Sequence, residues 1–281
     1  MLVNSKEMLM KARREGHAVP AINTQGGTYD IIWACCRAAQ EMKSPMILAH
    51  YASTGAYSGH DFFYEVSRFC AEKVDVPVAI HLDHGDSVEL CRECIDIGFT
   101  SVMIDASTRP IAENAETTNQ VIAMARPKGI TVEAEIGELA RMGDENSFSN
   151  VVDPDQVKEF LKACQPDSLA IGIGNAHGFY KGEPNIRLDI LEKVAAMTDL
   201  PLVLHGCTGM GDEIIQKAIQ MGMAKINFGT QIRFNYVKYL EETCREFNHQ
   251  GHAWRISQRC NDLLTEDVKD IIRLSGSEGR A

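Results

Sequence analysis

Three histidines follow short apolar segments of the sequence, and their type and placement suit a catalytic metal ion. His84 follows PVAIHLD, His177 follows SLAIGIGNA, and His205 follows PLVL. An imidazole nitrogen is a common ligand of Zn²⁺, and three imidazoles with an open fourth position form a frequent catalytic zinc arrangement. A single histidine is more often a hydrogen-bonded structural residue, but three at equivalent positions favour a metal site over that interpretation.

Acidic residues and a further histidine surround these candidates. Asp83 directly precedes His84, so its carboxylate is suited to transfer a proton beside a metal. Glu133 and Glu135 alternate within the apolar segment TVEAEIG. His81 and Asp83 are two residues apart and would share one face of a strand. We therefore assign His81 to packing or to support of the site rather than to the metal.

Glycine-rich turns follow His177 and His205. They read HGFYKG over residues 177–182 and HGCTG over residues 205–209. Each turn precedes a segment with helical periodicity, so backbone N–H groups and a helix N-terminus can approach an anion there. Glycine alone is a weak signal, but its position beside two candidate metal ligands predicts a phosphorylated substrate.

Eight short apolar segments contain or precede these residues, and each is followed by a longer segment with helical periodicity. The short segments are rich in Val, Ile and Leu, as expected for parallel strands that are buried on both faces. We predict strands at residues 19–23, 45–51, 77–83, 101–105, 131–137, 168–174, 201–206 and 225–229. Eight alternating strand–helix units predict an α/β fold of the (β/α)₈ TIM-barrel type. Catalytic residues of this fold lie at the C-terminal ends of the strands, where the candidates above would converge.

An open doubly wound sheet is the alternative fold. It is less favoured because the strand count is high and the dinucleotide-binding motif GxGxxG is absent from the sequence. No linker or low-complexity segment divides residues 1–281, so we expect a single domain. From about residue 231 the helical pattern continues to the end of the chain, which predicts extra C-terminal helices.

Composition restricts the partners and the compartment. The net charge of −11 argues against nucleic acid, because phosphate backbones require clustered Lys and Arg. No apolar run approaches a membrane span and the N-terminus has no signal region, so we expect a cytoplasmic protein without a membrane partner. The nine cysteines are therefore expected to be reduced. Cys91 and Cys94 form a CxxC pair without a second such pair, which favours ordinary helix residues over a structural zinc site.

Together these motifs resemble the class II, metal-dependent ketose-bisphosphate aldolases. The resemblance covers nearly the whole chain and includes PVAIHLDHG, SVMIDAS, TVEAEIGEL, NAHGFYKGEP, LVLHGCTG and KINFGTQIR. It implies that Zn²⁺ is held by His84, His177 and His205, and that Asp83 transfers the proton. Glu135 matches a carboxylate that approaches the metal in some members of the family. A monovalent cation, Na⁺ or K⁺, is also implied near the phosphate-binding turns.

The resemblance further implies a substrate site. The phosphate-bearing, three-carbon half of the substrate would contact residues at the last three strand ends, namely Gly178, Lys181, Gly206, Thr208, Asn227, Gly229 and Thr230. Asn23 matches a substrate-side asparagine on the first strand. For the distal phosphate we expect Tyr51 and a C-terminal arginine, Arg255 or Arg259, of this chain or of a neighbouring subunit. Relatives form dimers or tetramers, so a homodimer or homotetramer is expected.

The sequence departs from the family pattern at several positions, two of which bear on the proton transfer and on the type of substrate. Relatives carry a Gly-Gly-x-Glu-Asp stretch after the fifth strand, whose Glu is proposed to move a proton at the enolate carbon, but Gly143 stands there in this chain. Asp144 and Glu145 are the alternatives for that role. Gly229 stands where fructose-type enzymes commonly carry an acidic or amide residue and tagatose-type enzymes a small one, which favours the tagatose type.

The sequence therefore predicts reversible aldol cleavage of a ketose 1,6-bisphosphate to dihydroxyacetone phosphate and an aldehyde. Tagatose 1,6-bisphosphate is the first expected substrate and fructose 1,6-bisphosphate the second. A Schiff-base mechanism is disfavoured, because Lys225 begins the eighth strand rather than ending it. Three alternatives stay open: an aldolase for a ketose 1-phosphate with a different distal group, a metal-dependent hydrolase or isomerase of a phosphorylated sugar, and a non-catalytic barrel subunit that binds sugar phosphates.

Overall fold

The computed structural model describes residues 1–137, 151–180 and 182–281, together with the backbone of residues 140–141. Its centre is a closed barrel of parallel strands, in which each strand pairs with the next along the chain and the last pairs with the first. The strands are β1 (Val19–Asn23), β2 (Met46–Tyr51), β3 (Val78–Gly85), β4 (Ser101–Ile104), β5 (Thr131–Ile136), β6 (Ser168–Ile171), β7 (Leu202–Leu204) and β8 (Met223–Phe228). The predicted (β/α)₈ barrel is thus confirmed.

Helices connect the strands and cover the outside of the barrel. They are α1 (Lys6–Glu15), α2 (Tyr29–Met42), α3 (Gly55–Ser58), α4 (His60–Ala71), α5 (Val88–Ile97), α6 (Ile111–Ala125), α7 (Pro154–Ala163), α8 (Leu188–Ala195), α9 (Asp212–Gln220), α10 (Thr230–Glu246) and α11 (Ala253–Ser275). Met8, Leu9 and Ala12 of α1 form a buried cluster with small and branched residues of β1, β2, β3 and β8. Helix α1 therefore closes the N-terminal end of the barrel, while α10 and α11 are the predicted additions at the C-terminus.

Local sequence explains where several helices begin and end. The Ser87 side chain accepts a hydrogen bond from the backbone N–H of Leu90 at the start of α5. Side-chain acceptors of this kind satisfy one of the free N–H groups of a first turn. Gly16 ends α1 with φ of 69°, a conformation that glycine adopts without the steric cost of a Cβ atom.

Three strand ends differ from their predicted positions by two or more residues, and all three lie beside candidate residues. β6 and β7 end at Ile171 and Leu204, before the predicted residues 174 and 206. Gly174 and Gly206 have φ of 91° and 69°, which takes the chain out of extended conformation and into loops. β3 instead continues to Gly85, beyond the predicted end at residue 83. Outside the barrel, Ala176–His177 forms a short parallel pair with Ala140–Arg141.

The structure also describes the cysteines and the character of the helices. Cys91 and Cys94 are buried on α5, as predicted for ordinary helix residues. The nine cysteines are all free thiols. Within the ranges that the structure describes, no helix has the length and apolar character needed to cross a membrane.

Candidate metal centre and substrate cavity

Three imidazole rings meet at the C-terminal end of the barrel. His84 lies near the end of β3, His177 in the loop after β6, and His205 directly after β7. The ring centroids of His84 lie 4.9 Å from His177 and 4.7 Å from His205, and the latter two rings are 6.0 Å apart. One ligand atom of each ring lies within 4.8 Å of the other two. The structure therefore brings together the three residues that were expected to share a metal ion.

An unusual backbone conformation positions His84. Its φ is 51°, in the left-handed region that non-glycine residues rarely adopt, and the pairing of β3 with β4 is irregular there. Its ring Nδ1 is hydrogen-bonded to Asp105 Oδ2 at 2.8 Å, so Nε2 is the nitrogen directed at the other histidines. Ser107 donates to Asp105 from both its backbone N–H and its hydroxyl. A carboxylate behind a ligating imidazole commonly sets the orientation of the ring.

Side chains after β6 join the loops that carry His177 and His205. Asn175 donates from Nδ2 to the carbonyl oxygen of His205 at 2.9 Å. The Tyr180 hydroxyl accepts a hydrogen bond from the Ala176 N–H and donates to the Gly206 carbonyl, both at 3.0 Å. The two loops are therefore held at a fixed separation, and with them the two imidazoles.

The buried carboxylate of Glu133 orients the His205 ring from the barrel interior. Glu133 Oε1 lies 3.0 Å from His205 Nε2, and both side chains are almost completely buried. His205 Nδ1 lies 3.1 Å from His84 Nε2, so these two nitrogens face each other. Lys225 lies beneath them with its ammonium 2.8 Å from Glu133 Oε2. The sequence analysis assigned no role to Lys225 or Asp105. Asp105 directly follows β4, and its position at a strand end was a signal that could have identified it as a site residue.

The charges around the histidines suit a cation. Burial lowers the pKa of His84, but the carboxylates of Asp83, Asp105 and Glu135 outweigh this effect and raise it to about 9. Burial, followed by repulsion from His84 and His205, lowers the pKa of His177 to about 3. The surroundings of His84 thus favour a positive charge, and the His177 ring stays neutral, as a metal ligand must. Three imidazole nitrogens surrounded by carboxylates fit the donor set of a catalytic Zn²⁺ site.

Glu135 lies beside this group and has no hydrogen-bond partner among the described residues for either carboxylate oxygen. Its Oε2 is 3.9 Å from His84 Nδ1, and its oxygens belong to a second cluster of potential ligands with His84 and Asp105. Burial, and then the charge of Asp105, raises the pKa of Glu135 to about 8. The residue therefore has free acceptor atoms within reach of the metal group.

Asp83 is a buried acidic residue that lines the cavity beside the histidines. Its side chain is buried, with Oδ1 3.1 Å from Asn227 Nδ2 and 4.0 Å from His205 Nδ1. Burial opposes ionisation, but electrostatic interactions with His84, His205 and Lys225 together lower the pKa of Asp83. The carboxylate is therefore ionised at neutral pH and able to accept a proton.

A cavity of about 1050 Å³ opens above these groups. Its wall contains most of the predicted site residues, namely Asn23, Tyr51, Asp83, His84, His177, Gly178, Gly206, Thr208, Asn227, Gly229 and Thr230. Two arginines that sequence reasoning missed, Arg109 after β4 and Arg233 on α10, also line it. Arg255 and Arg259 instead lie exposed on α11 and do not line the cavity of their own chain. Lys181 and the loop positions Gly143, Asp144 and Glu145 lie outside the described residues.

Comparison with known proteins points to one family. The family model described as fructose-bisphosphate aldolase class-II matches residues 3–280. A fructose-bisphosphate aldolase of Staphylococcus epidermidis is 39% identical over 287 residues, which cover 100% of this chain and 99% of that protein. One of Staphylococcus aureus is 37% identical with the same coverage. Among solved structures, the YdjI aldolase of Escherichia coli K12 aligns over 100% of both chains with a TM-score of 0.88 and 31% identity.

Proposed function

Because this chain belongs to the class-II fructose-bisphosphate aldolase family of carbon–carbon lyases, we propose that it reversibly cleaves a ketose 1,6-bisphosphate. The products are dihydroxyacetone phosphate and an aldehyde, and the ion is Zn²⁺ bound by His84, His177 and His205. The observation that carries this proposal is the convergence of the His84, His177 and His205 imidazoles beside a cavity that Asp83, His84 and His177 line. With Zn²⁺ held by these three imidazoles, the site would supply Lewis-acid polarisation of the ketone carbonyl.

Asp83 and Asn227 are the proposed pair at the carbon–carbon bond. The Asp83 carboxylate removes the proton from the C4 hydroxyl during cleavage and returns it during condensation. Asn227 donates to Asp83 Oδ1 and so orients the carboxylate. The Oδ1 atom of Asn227 is buried and has no partner among the described residues, which leaves an acceptor for a substrate hydroxyl.

The phosphate of the three-carbon half is proposed to bind at the ends of β7 and β8. Gly206, Thr208 and Thr230 line the cavity there, and Thr230 is the first residue of the 17-residue helix α10. The free N–H groups and the positive dipole end of such a helix favour a phosphate. Thr208 Oγ1 accepts a hydrogen bond from the Gln231 N–H, which joins the two loops. Gly178 and Lys181 are proposed to complete this site, with Na⁺ or K⁺ nearby.

The distal phosphate is proposed to bind Arg109 and Arg233. Both guanidinium groups line the same cavity as Asp83, and each supplies a permanent positive charge with several N–H donors. Arg109 Nη1 donates to Thr117 Oγ1 at 3.1 Å, which restrains the side chain near the end of β4. Tyr51 and Asn23 line the same cavity. A contribution of Arg255 or Arg259 from a neighbouring subunit stays a prediction.

Fructose 1,6-bisphosphate and tagatose 1,6-bisphosphate differ only in configuration at C4. The names of the Staphylococcus relatives favour fructose 1,6-bisphosphate, so we propose it as the first substrate. The small residue Gly229, which resembles the tagatose-type pattern, makes tagatose 1,6-bisphosphate the second proposed substrate. Cleavage rates measured on both C4 epimers, and on the ketose 1-phosphate without the distal phosphate, rank these substrates directly.

Metal removal tests the proposed function. Dialysis against a chelator should abolish cleavage of the bisphosphate, and one equivalent of Zn²⁺ should restore it. The product should be dihydroxyacetone phosphate, whereas a hydrolase would release inorganic phosphate and an isomerase would release no three-carbon product. Turnover that survives complete metal removal would refute the zinc-dependent mechanism. Membership of an aldolase family favours turnover over the non-catalytic alternative.

We also propose that the protein is a cytoplasmic homodimer or homotetramer. Phe234 and Val237 on α10 and Trp254 on α11 are large apolar side chains that are more than half exposed. An exposed apolar face of this kind supports association into the expected homodimer or homotetramer. Light scattering coupled to size-exclusion chromatography would measure the mass in solution, and a purely monomeric mass would contradict the proposal.

A further inference from the structure

A lysine and a glutamate are fully buried inside the barrel, beneath the candidate metal centre. Lys225 on β8 is 0% exposed and Glu133 on β5 is 1% exposed. Charged side chains are almost never buried to this extent unless they are paired. A buried ion pair is weak evidence of stabilisation, because an apolar pair of the same volume is often as stable or more stable. The position of this pair therefore calls for a reason other than stability.

The hydrogen bonds of the Lys225 ammonium use all of its donors. Its Nζ lies 3.0 Å from Glu133 Oε1, 2.8 Å from Glu133 Oε2 and 3.2 Å from His81 Nε2. An ammonium has three N–H donors and no acceptor, so each donor has one partner. His81 is in turn held by Ser101, whose hydroxyl lies 2.8 Å from His81 Nδ1. Lys225 has no remaining donor and does not line the cavity, which excludes a role as a Schiff-base nucleophile.

The carboxylate of Glu133 is held just as completely. Oε1 accepts from Lys225 and from His205 Nε2, and Oε2 accepts from Lys225 and, at 3.2 Å, from the Ser168 hydroxyl. Rotation of the carboxylate would break contacts on both oxygens at once. A carboxylate accepts but does not donate, so the hydrogen of the neutral His205 ring must lie on Nε2. The lone pair then lies on Nδ1, which faces His84 Nε2 at 3.1 Å.

We propose that Lys225 is a positioning residue of the metal centre, which acts through Glu133 to fix both the ring orientation and the tautomer of His205. It contacts neither substrate nor metal. Its charge keeps Glu133 in place as a hydrogen-bond acceptor, and Glu133 presents His205 Nδ1 to the ion. The inference rests on the metal-binding part of the proposed function. It adds a residue whose effect should appear in metal affinity, without any requirement for substrate.

The first test is the variant Lys225→Met, which keeps a long side chain but removes the charge. Zn²⁺ affinity is measured on the metal-free protein by competition with a chromophoric chelator, and unfolding is followed with and without Zn²⁺. The expected result is a 10–100-fold weaker affinity, the range typical for loss of a residue that supports a ligand. Wild-type affinity in a folded Lys225→Met protein would overturn the proposal. Wild-type protein that binds no Zn²⁺ would instead refute the proposed function on which it rests.

A second variant covers the case in which Lys225→Met does not fold. The double variant Lys225→Met with Glu133→Gln has no buried charge, so its stability should return close to that of the wild type. An amide is a weaker acceptor than a carboxylate and its two ends can exchange, so Zn²⁺ affinity should stay at least about 10-fold reduced. Recovery of stability and affinity together would show a purely structural pair and overturn the proposal.

Thr131→Val provides a matched control inside the same barrel. Thr131 is a buried polar residue at the start of β5, and its hydroxyl contacts Ser5 at 2.7 Å rather than Glu133 or His205. This variant should change the free energy of unfolding without changing Zn²⁺ affinity. An equal loss of affinity in Thr131→Val would show that any polar change in the barrel interior disturbs the metal centre, and would also overturn the specific role of Lys225.

Discussion

Replacement of Asp83 by Asn separates proton transfer from the other functions of the site. The amide has nearly the shape of the carboxylate and keeps an oxygen that can accept from Asn227 Nδ2, at 3.1 Å in the parent protein. The change removes only the negative charge and the basic lone pair. Because Asp83 is 4.0 Å from His205 Nδ1 and is not one of the three imidazole ligands, the metal should still bind.

The expected loss can be derived from this geometry. A positioned general base contributes on the order of 10²–10⁴-fold to the rate, or about 3–5 kcal/mol of barrier at 1.36 kcal/mol per factor of ten. The pKa of Asp83 is lowered, so the group is ionised at neutral pH and its full contribution is lost in the variant. We expect kcat for cleavage of fructose 1,6-bisphosphate to fall by that factor while Zn²⁺ affinity stays within about threefold of the parent protein.

Two assays identify the step that is lost. Cleavage is followed by the coupled reduction of dihydroxyacetone phosphate, and enolate formation by solvent hydrogen exchange at the carbon of dihydroxyacetone phosphate that forms the bond. Asp83→Asn should slow cleavage by this factor and leave the rate of exchange unchanged, since the exchanged proton is not the one that Asp83 is proposed to carry. Asp86→Asn is the matched control, because Asp86 is an exposed carboxylate on the wall of the same cavity. A kcat for Asp83→Asn within threefold of the parent value would refute the assignment.

Three further predictions concern backbone strain, pH and the distal arginine. Gly206 has φ of 69°, and a Cβ atom there would lie 2.3 Å from the Ala176 carbonyl oxygen. Gly206→Ala should therefore lower the free energy of unfolding in urea by about 1–3 kcal/mol more than Gly129→Ala, which has φ of 70° and nothing within 4 Å. Burial, with a smaller effect of His60, lowers the pKa of His50 to about 3 from its ordinary 6.5. Below pH 6.5 the His50 side chain of the unfolded chain therefore binds a proton that the folded protein does not bind. The folded protein should lose about 2 kcal/mol from this group between pH 7 and pH 5, and His50→Phe should remove that loss in urea unfolding of the metal-free protein. Arg109→Met should raise KM about 10–100-fold for the bisphosphate and leave KM for the ketose 1-phosphate unchanged.

Each of these results has a contrary outcome. Equal destabilisation by Gly206→Ala and Gly129→Ala would show that the Ala176 carbonyl moves aside without cost. An unchanged difference in unfolding free energy between pH 7 and pH 5 in His50→Phe would show that His50 is protonated when folded. An equal rise in KM for both sugars in Arg109→Met would show that this arginine does not recognise the distal phosphate.

The sequence by itself determined the fold and the central residues of the site. Short apolar segments that alternate with amphipathic ones leave parallel strands covered by helices, and eight such units close into a barrel. In a parallel barrel all strands end at the same rim, so polar residues at strand ends converge whatever their separation in sequence. This is why His84, His177 and His205 could be grouped with Asp83 before any distance was known.

Only the tertiary structure decided how these residues are held and what else reaches them. Asp105 behind His84, and Glu133 with Lys225 beneath His205, are partners from different strands, and strand order alone does not say which side chains will touch. The loop after β4 and helix α10 also bring Arg109 and Arg233 to the cavity wall, while Arg255 and Arg259 lie outside it. Sequence spacing records the order of the strand ends, but the direction and partners of each side chain depend on packing in three dimensions.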